Sequence, residues 1–115
     1  MINLKFFTLI TLIVFLNSCA KESEKILNIK KKDQEMELIT TYNEAHKSLE
    51  QNDPYKAANK FLEAELLFPQ SSWAPQSALM ASYSYYLQNY YAEALFNLER
   101  YLKTYPNDKN LSYAH

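Results

Sequence analysis

The sequence repeats itself with a period of 37 residues, and this repeat restricts the fold more than any other feature. When the chain is shifted against itself by 37 residues, five pairs of identical or similar residues coincide: Asn52 with Asn89, Ala57 with Ala94, Phe61 with Leu98, Phe68 with Tyr105, and Pro69 with Pro106. Within each copy the apolar residues follow the i, i+3, i+4 spacing of an amphipathic helix. A period of this length is typical of repeats that stack on their neighbours. The sequence therefore predicts an all-α fold of helical hairpin repeats.

The turns are marked by Asn, Asp and Pro, because the chain contains no glycine. Asn tolerates the left-handed backbone conformation better than most residues, so Asn52 and Asn89 are expected at the turns within the two repeats. Asp53 stands where it can cap the next helix, and Pro54 fits the first turn of that helix, where no backbone N–H is needed.

The second copy has the residue spacing of a tetratricopeptide repeat. Small residues stand at Ser82 and Ala94, where the two helices of such a hairpin cross closely. The period exceeds the usual length of about 34 residues, and we assign the excess to a loop at Trp73. The predicted repeats occupy residues 38–74, 75–110 and, as the start of a third repeat that is cut short, 111–115. We therefore expect the chain to be the N-terminal part of a longer protein.

The N-terminus has the pattern of a bacterial lipoprotein signal. An uncharged apolar run over residues 6–16 is too short for a membrane span, which needs about 20 residues. The run ends at Leu16-Asn17-Ser18-Cys19, which resembles a lipobox and contains the only cysteine of the chain. The resemblance implies a cleaved signal peptide at residues 1–18, a lipid on Cys19 and, because Ala20 rather than Asp follows, an outer-membrane location. The alternative is a signal anchor with an incidental cysteine.

Residues 19–37 comprise the lipidated cysteine and a charged tether. Between Lys21 and Glu37, five lysines are balanced by five acidic residues, so the segment is locally neutral. We interpret it as a solvated linker, with helical periodicity beginning at Met36. The alternative is that Lys30-Lys31-Lys32 contacts anionic lipid, although the neighbouring acids weaken that attraction.

Together these features resemble the BamD (ComL) family of lipoproteins. Besides the lipobox and tether, the resemblance rests on Phe68-Pro69-Gln70-Ser71-Ser72-Trp73-Ala74, Ala81-Ser82-Tyr83-Ser84-Tyr85-Tyr86, Tyr91-x-x-Ala94, Tyr105-Pro106-Asn107-Asp108 and Asn110-Leu111-Ser112-Tyr113-Ala114. It implies a lipid-anchored protein on the periplasmic side of the outer membrane that helps to fold and insert β-barrel proteins. The implied partners are a BamA-like barrel assembly protein, other assembly lipoproteins and unfolded outer-membrane proteins.

A peptide groove is expected on the concave face of the repeats, which the first helix of each repeat lines. Tyrosine suits such a groove because its ring is apolar and its hydroxyl forms hydrogen bonds. The predicted groove residues are Tyr42, His46, Leu49, Leu79, Tyr83 and Tyr86. The alternative is that Tyr83 and Tyr86 belong to the core between the repeats.

The sequence has no pattern that indicates catalysis, a cofactor or a metal site. A nucleophile–His–acid order, a phosphate-binding loop and metal-ligand spacing are all missing, and a single cysteine excludes multi-Cys zinc sites. The net charge of −1 gives no reason to expect nucleic-acid binding. We assign the acidic residues Glu63, Glu65, Glu93 and Glu99 to solvated helix faces. The chain is therefore predicted to bind other proteins and not to be an enzyme.

Two other functions stay open at this point. One is a different envelope scaffold lipoprotein built from the same repeats, of the pilotin or cell-wall coordination type. The other is an enzyme whose catalytic domain lies beyond residue 115, with these repeats as its docking module. The next stretch of the reading frame separates them, because further repeats favour barrel assembly, whereas Gly-rich loops or His/Asp clusters favour an enzyme.

Overall fold

The computed structural model describes residue 3 and residues 18–115, with side chains from Glu22 onward in the long first helix. Residues 18–115 form five helices: α1 (Ser18–Glu50), α2 (Pro54–Leu67), α3 (Trp73–Leu87), α4 (Tyr91–Thr104) and α5 (Leu111–Ala114). The described residues contain no strand, and the predicted all-α fold of helical hairpin repeats is confirmed. The predicted signal peptide, apart from residue 3 and the backbone of Ser18, lies outside the described residues, as does the side chain of Cys19.

The helices reproduce the 37-residue period. α2 and α4 contain 14 residues each, and their first residues, Pro54 and Tyr91, stand 91 − 54 = 37 positions apart. α1 and α3 end at Glu50 and Leu87, which are separated by the same interval, 87 − 50 = 37. Equivalent positions of the two repeats can therefore be compared residue by residue.

The turns inside both hairpins have the conformation that the missing glycine led us to expect. Asn52 and Asn89 have φ angles of 59° and 60°, in the left-handed region. Asp53 Oδ1 accepts a hydrogen bond from the backbone N–H of Lys56 at 3.1 Å, and Pro54 is the first residue of α2.

The structure corrects the predicted linker, because α1 begins at Ser18 and not near Met36. Nothing between these residues breaks a helix: glycine and proline are absent, and Lys and Glu are good helix formers that also attract each other three or four positions apart. The side chains of residues 22–33 are nevertheless exposed, as a solvated segment requires. In the described part of the chain, no helix is both long and apolar enough to cross a membrane.

The chain divides into two compact units, Met1–Asp33 and Gln34–His115, and the second contains the repeats. Its core joins the last four turns of α1 to α2 and reaches α3. The buried apolar residues of this cluster are Leu38, Tyr42, Ala45, Ala57, Phe61, Ala64, Phe68 and Ala81.

α3 is an unusual helix because all of its buried residues are Ala or Ser. They are Ala74, Ser77, Ala78, Ala81, Ser82 and Ser84. Such small side chains let α3 lie close to α2 on one side and to α4 on the other. The predicted Trp73 loop is corrected in detail, since Trp73 is the first residue of α3 and the connection is made by residues 68–72.

Candidate functional site

An apolar groove of about 520 Å³ lies between α3 and α4. One wall is formed by Leu79, Tyr83 and Tyr86, which stand at i, i+4 and i+7 and therefore share a face of α3. Ala94 and Leu98 of α4 form the opposite wall. The remaining lining residues are Gln76, Met80, Ser82, Asn110 and Tyr113. The groove is thus mainly aliphatic and aromatic, with a few polar groups, as is typical of ligand sites.

The structure brings together only three of the six predicted groove residues. Tyr83 and Tyr86 are 50% and 57% exposed, so they do not form a core between the two repeats, and with Leu79 they line the groove. The prediction that Tyr42, His46 and Leu49 share this groove is not met, because Tyr42 is buried and Leu49 packs against the core.

The two repeats also differ in the size of the side chains at these positions. In the first repeat, the ring of Tyr42 packs edge-on against Phe61 and Trp73, with ring centroids 5.1 and 5.3 Å apart. At the equivalent positions of the second repeat, Phe61 is replaced by Leu98 and Trp73 by Asn110. The second repeat therefore lacks the aromatic packing that surrounds Tyr42 in the first.

His46 belongs to the same aromatic cluster. Its Nε2 lies 3.2 Å from the Tyr42 hydroxyl, and its ring meets Phe61 edge-on at 5.4 Å. Burial raises the pKa of the Tyr42 hydroxyl, and a hydrogen bond with Gln76 offsets part of that shift. These contacts indicate that His46 and Tyr42 support the core.

A second cavity, of about 610 Å³, lies beside Tyr42 and Trp73 and is more polar than the groove. Gln76 and Asn110 line both cavities, and the Asn110 amide donates a hydrogen bond to Gln76 Oε1 at 3.0 Å. This contact joins the start of α3 to the segment that follows α4.

The prediction that Glu65 lies on a solvated helix face is wrong, because Glu65 is only 5% exposed. Its two carboxylate oxygens accept hydrogen bonds from Arg100 Nη1 and Nη2 at 2.7 and 2.6 Å, and Tyr105 donates a third at 2.7 Å. The hydrogen bond with Glu65 raises the pKa of Arg100. Glu65 follows Ala58 and Phe61 on the buried stripe of α2. A carboxylate on a buried stripe needs a partner of opposite charge, so its position in the sequence could have indicated the ion pair. The other three acidic residues, Glu63, Glu93 and Glu99, are exposed as expected.

A second side-chain hydrogen bond holds the segment after α4. The hydroxyl of the fully buried Tyr101 donates to Asp108 Oδ1 at 2.6 Å, and the backbone N–H of Asn110 donates to the same oxygen at 2.9 Å. Burial disfavours the charged carboxylate, but these hydrogen bonds outweigh it and lower the pKa of Asp108. In the described residues, no group of three or more His, Cys, Asp or Glu is placed to hold a metal ion.

Comparison with known proteins gives one family and one relative. The sequence model of the YfiO family, described as outer membrane lipoprotein, matches residues 33–115. A segment of 59 residues is 37% identical to the outer membrane protein assembly factor BamD of Caulobacter vibrioides, and it covers 51% of this chain and 19% of that protein. The chain thus matches about a fifth of the relative's length. No solved structure matches the chain significantly.

Proposed function

Because the chain belongs to the YfiO family of outer membrane lipoproteins, we propose that it acts in the assembly of outer-membrane β-barrel proteins. The role proposed is binding and not catalysis: the repeats hold unfolded barrel segments and contact other assembly proteins. The similarity to a BamD protein supports this role, since that relative is named as an assembly factor.

The observation that carries the proposal is the open groove between α3 and α4. Tyr83 and Tyr86 present half-exposed rings beside Leu79 and Leu98, so an incoming aromatic or aliphatic side chain can be buried there. Gln76 and Asn110 add polar groups that can pair with a peptide backbone. An unfolded barrel strand, which alternates aromatic or aliphatic residues with polar ones, has side chains suited to both parts of the site.

The proposed position is the periplasmic side of the outer membrane, with a lipid on Cys19 as the anchor. The family description as outer membrane lipoprotein supports this position. Two or three acyl chains would hold the protein stably where one would not. The proposed partners are a BamA-like barrel protein and other assembly lipoproteins, and co-purification of the longer protein with a large β-barrel protein tests them.

Site-specific crosslinking tests the substrate groove. A photoreactive amino acid replaces Tyr83 or Tyr86 in the full chain, which is then illuminated with a urea-denatured outer-membrane barrel protein diluted to low urea. We expect crosslinks from both positions, and fewer when the barrel protein has been folded beforehand. The matched control is position 96, because Phe96 is 67% exposed but does not line the groove. Equal crosslinking from positions 83, 86 and 96 would show that the groove does not select the substrate.

A further inference from the structure

The second cavity, of about 610 Å³, differs in composition from the groove, and the function proposed above does not use it. Three parts of the repeat unit line it: Tyr42 of α1, Trp73 and Gln76 at the start of α3, and residues 108–110, which follow α4. Its volume lies within the range of about 300–1,000 Å³ that is usual for small-molecule sites. All of these parts belong to one compact unit, so the repeats themselves form the cavity.

Trp73 gives the cavity a flat apolar surface. Its ring meets the ring of Tyr42 at an angle of 66°, with the ring centroids 5.3 Å apart, and 37% of the tryptophan is still exposed. An aromatic ring carries partial negative charge on its face, which attracts the C–H groups on the flat side of a sugar ring. The residue 37 positions further on is Asn110, so this aromatic surface is not common to both copies of the repeat.

The polar groups of the cavity are held in place by hydrogen bonds with one another. The Asn110 amide donates to Gln76 Oε1 at 3.0 Å, and the Asn110 backbone N–H donates to Asp108 Oδ1 at 2.9 Å. Gln76 also forms a hydrogen bond with the Tyr42 hydroxyl. One or two such bonds do not exhaust an amide, which both donates and accepts, as the hydroxyls of a sugar do. These fixed polar groups therefore suit a ligand that carries many hydroxyls.

The charges that line the cavity do not favour a charged ligand. Asp108 and Lys109 are the charged lining residues, and their charges are of opposite sign. A ligand with a net charge would be attracted to one of them and repelled by the other. A neutral polar molecule meets no such conflict, so the charge balance favours it over a phosphate, a carboxylate or a basic side chain.

We propose that this cavity binds a neutral saccharide of the size of a disaccharide, with one sugar ring lying against the indole of Trp73. The hydroxyls of the sugar form hydrogen bonds with Gln76, Asn110 and Lys109. The sugar is either a free disaccharide or a unit of a longer glycan, since both offer the same ring faces and hydroxyls. The site does not depend on a role in barrel assembly, and an extended peptide is the competing ligand that the test includes.

The fluorescence of Trp73 tests the site, because Trp73 is the only tryptophan of the chain. The full chain is titrated with chitobiose, cellobiose and maltose, and the emission spectrum is recorded after each addition. We expect a saturable shift of the emission to shorter wavelength with at least one of these disaccharides, because a ring that lies on the indole excludes water from it. Sorbitol is the matched ligand control: it has the hydroxyls of a sugar but no flat ring, and it should give no saturable shift.

Gln76→Leu tests the polar part of the site. It should weaken binding of the responding disaccharide about tenfold, because one hydrogen-bonding side chain is lost. Gln88→Leu is the matched control and should keep the affinity, since Gln88 is partly exposed like Gln76 but does not line the cavity. Gln76 also supports Tyr42 and Asn110, so Lys109→Met serves as a second variant. Lys109 is exposed, and its loss should leave the fold intact and weaken binding about threefold.

The insoluble polymer of the responding disaccharide (chitin, cellulose or starch) separates the two sources of the sugar. Sedimentation of the protein with the polymer would show that units within a glycan fit the site, whereas a response to the free disaccharide alone would restrict the site to short sugars, and either result supports the proposal. The absence of a saturable shift with all of the disaccharides, an equal response to sorbitol, or unchanged affinity in both variants would overturn it. A shift caused by a peptide copied from a barrel strand, but by no disaccharide, would assign the cavity to peptides and would overturn it too.

Discussion

Arg100 and Glu65 join the two repeats through a pair of parallel hydrogen bonds of 2.7 and 2.6 Å. Glu65 lies on α2 and Arg100 on α4, so the pair connects the second helices of successive hairpins. Tyr105 donates to the same carboxylate, and no buried side-chain N or O in the described residues lacks a hydrogen-bond partner. A planar guanidinium that binds both oxygens also restricts the angle between the helices.

Removing the arginine should destabilise the protein more than its partial exposure suggests. In Arg100→Met, the buried carboxylate of Glu65 loses its counter-charge and keeps only the Tyr105 hydroxyl. We expect a loss of about 3 kcal/mol in the free energy of unfolding, at the lower end of the range of about 3–5 kcal/mol for a broken buried pair. Urea denaturation followed by circular dichroism measures it.

Lys60→Met is the control for this prediction. Lys60 pairs with Glu63 at 3.0 Å and Glu44 at 3.3 Å, but both carboxylates are more than half exposed. Such surface pairs contribute little to stability, because water and salt screen the charges. The triple change Glu65→Leu, Arg100→Met and Tyr105→Phe should recover much of the loss, because it removes the buried charge together with its partners. Equal effects of Arg100→Met and Lys60→Met would contradict the buried pair.

Asp108 should make the protein sensitive to acid. Its pKa is lowered in the folded state, so its contribution to stability is complete above its unfolded pKa, which is about 3.9, and is lost as the pH falls through the lower, folded value. Asp108→Asn keeps an acceptor for the Tyr101 hydroxyl but cannot titrate. The difference in unfolding free energy between the natural protein and this variant should be constant from pH 7 to about 5 and shrink below about pH 4. A difference that does not change with pH would refute the assignment.

The repeat, its period and its turns could be predicted from the sequence because each depends on residues close together in the chain. The beginning of α1 could not be predicted. A segment rich in balanced charges is expected to be solvated, and both a flexible linker and an exposed helix meet that expectation. The pair of Glu65 and Arg100 could not be predicted for another reason. The sequence places Glu65 on the buried stripe of α2, but it does not show that its partner is Arg100, which lies 35 residues away. Three of the six predicted groove residues line the groove. The spacing of apolar residues predicts the helix face on which a residue lies, but it does not predict which side chains pack against that face.

Asn52 should be replaceable by glycine but not by alanine. Its φ of 59° places Cβ close to the following carbonyl oxygen, a strain that glycine lacks and asparagine tolerates. We expect Asn52→Ala to cost about 1 kcal/mol and Asn52→Gly to stay within about 0.5 kcal/mol of the natural protein. Thermal unfolding of the three proteins distinguishes these values, and an alanine variant as stable as the glycine variant would argue against a left-handed turn.

Cys19→Ser should abolish the proposed lipid attachment. Serine has no thiol to accept a diacylglycerol, and the resemblance to a lipobox implies that the signal peptide is cleaved only after the thiol has been lipidated. Metabolic labelling with a radioactive fatty acid should therefore give no signal, and the unprocessed precursor should accumulate. Ala20→Ser is a suitable control, since it changes the neighbouring residue and leaves the thiol. Normal lipid labelling of Cys19→Ser would contradict the prediction.

Phe61 and Leu98 occupy equivalent positions, yet their truncation should have different costs. Phe61 is completely buried between α1, α2 and α3, so Phe61→Ala should cost about 3–5 kcal/mol. Leu98 faces the open groove and is partly exposed, so Leu98→Ala should cost only about 1 kcal/mol. Urea denaturation of the natural protein and of the two variants measures both costs. Equal costs for Phe61→Ala and Leu98→Ala would contradict the difference in burial between these two equivalent positions.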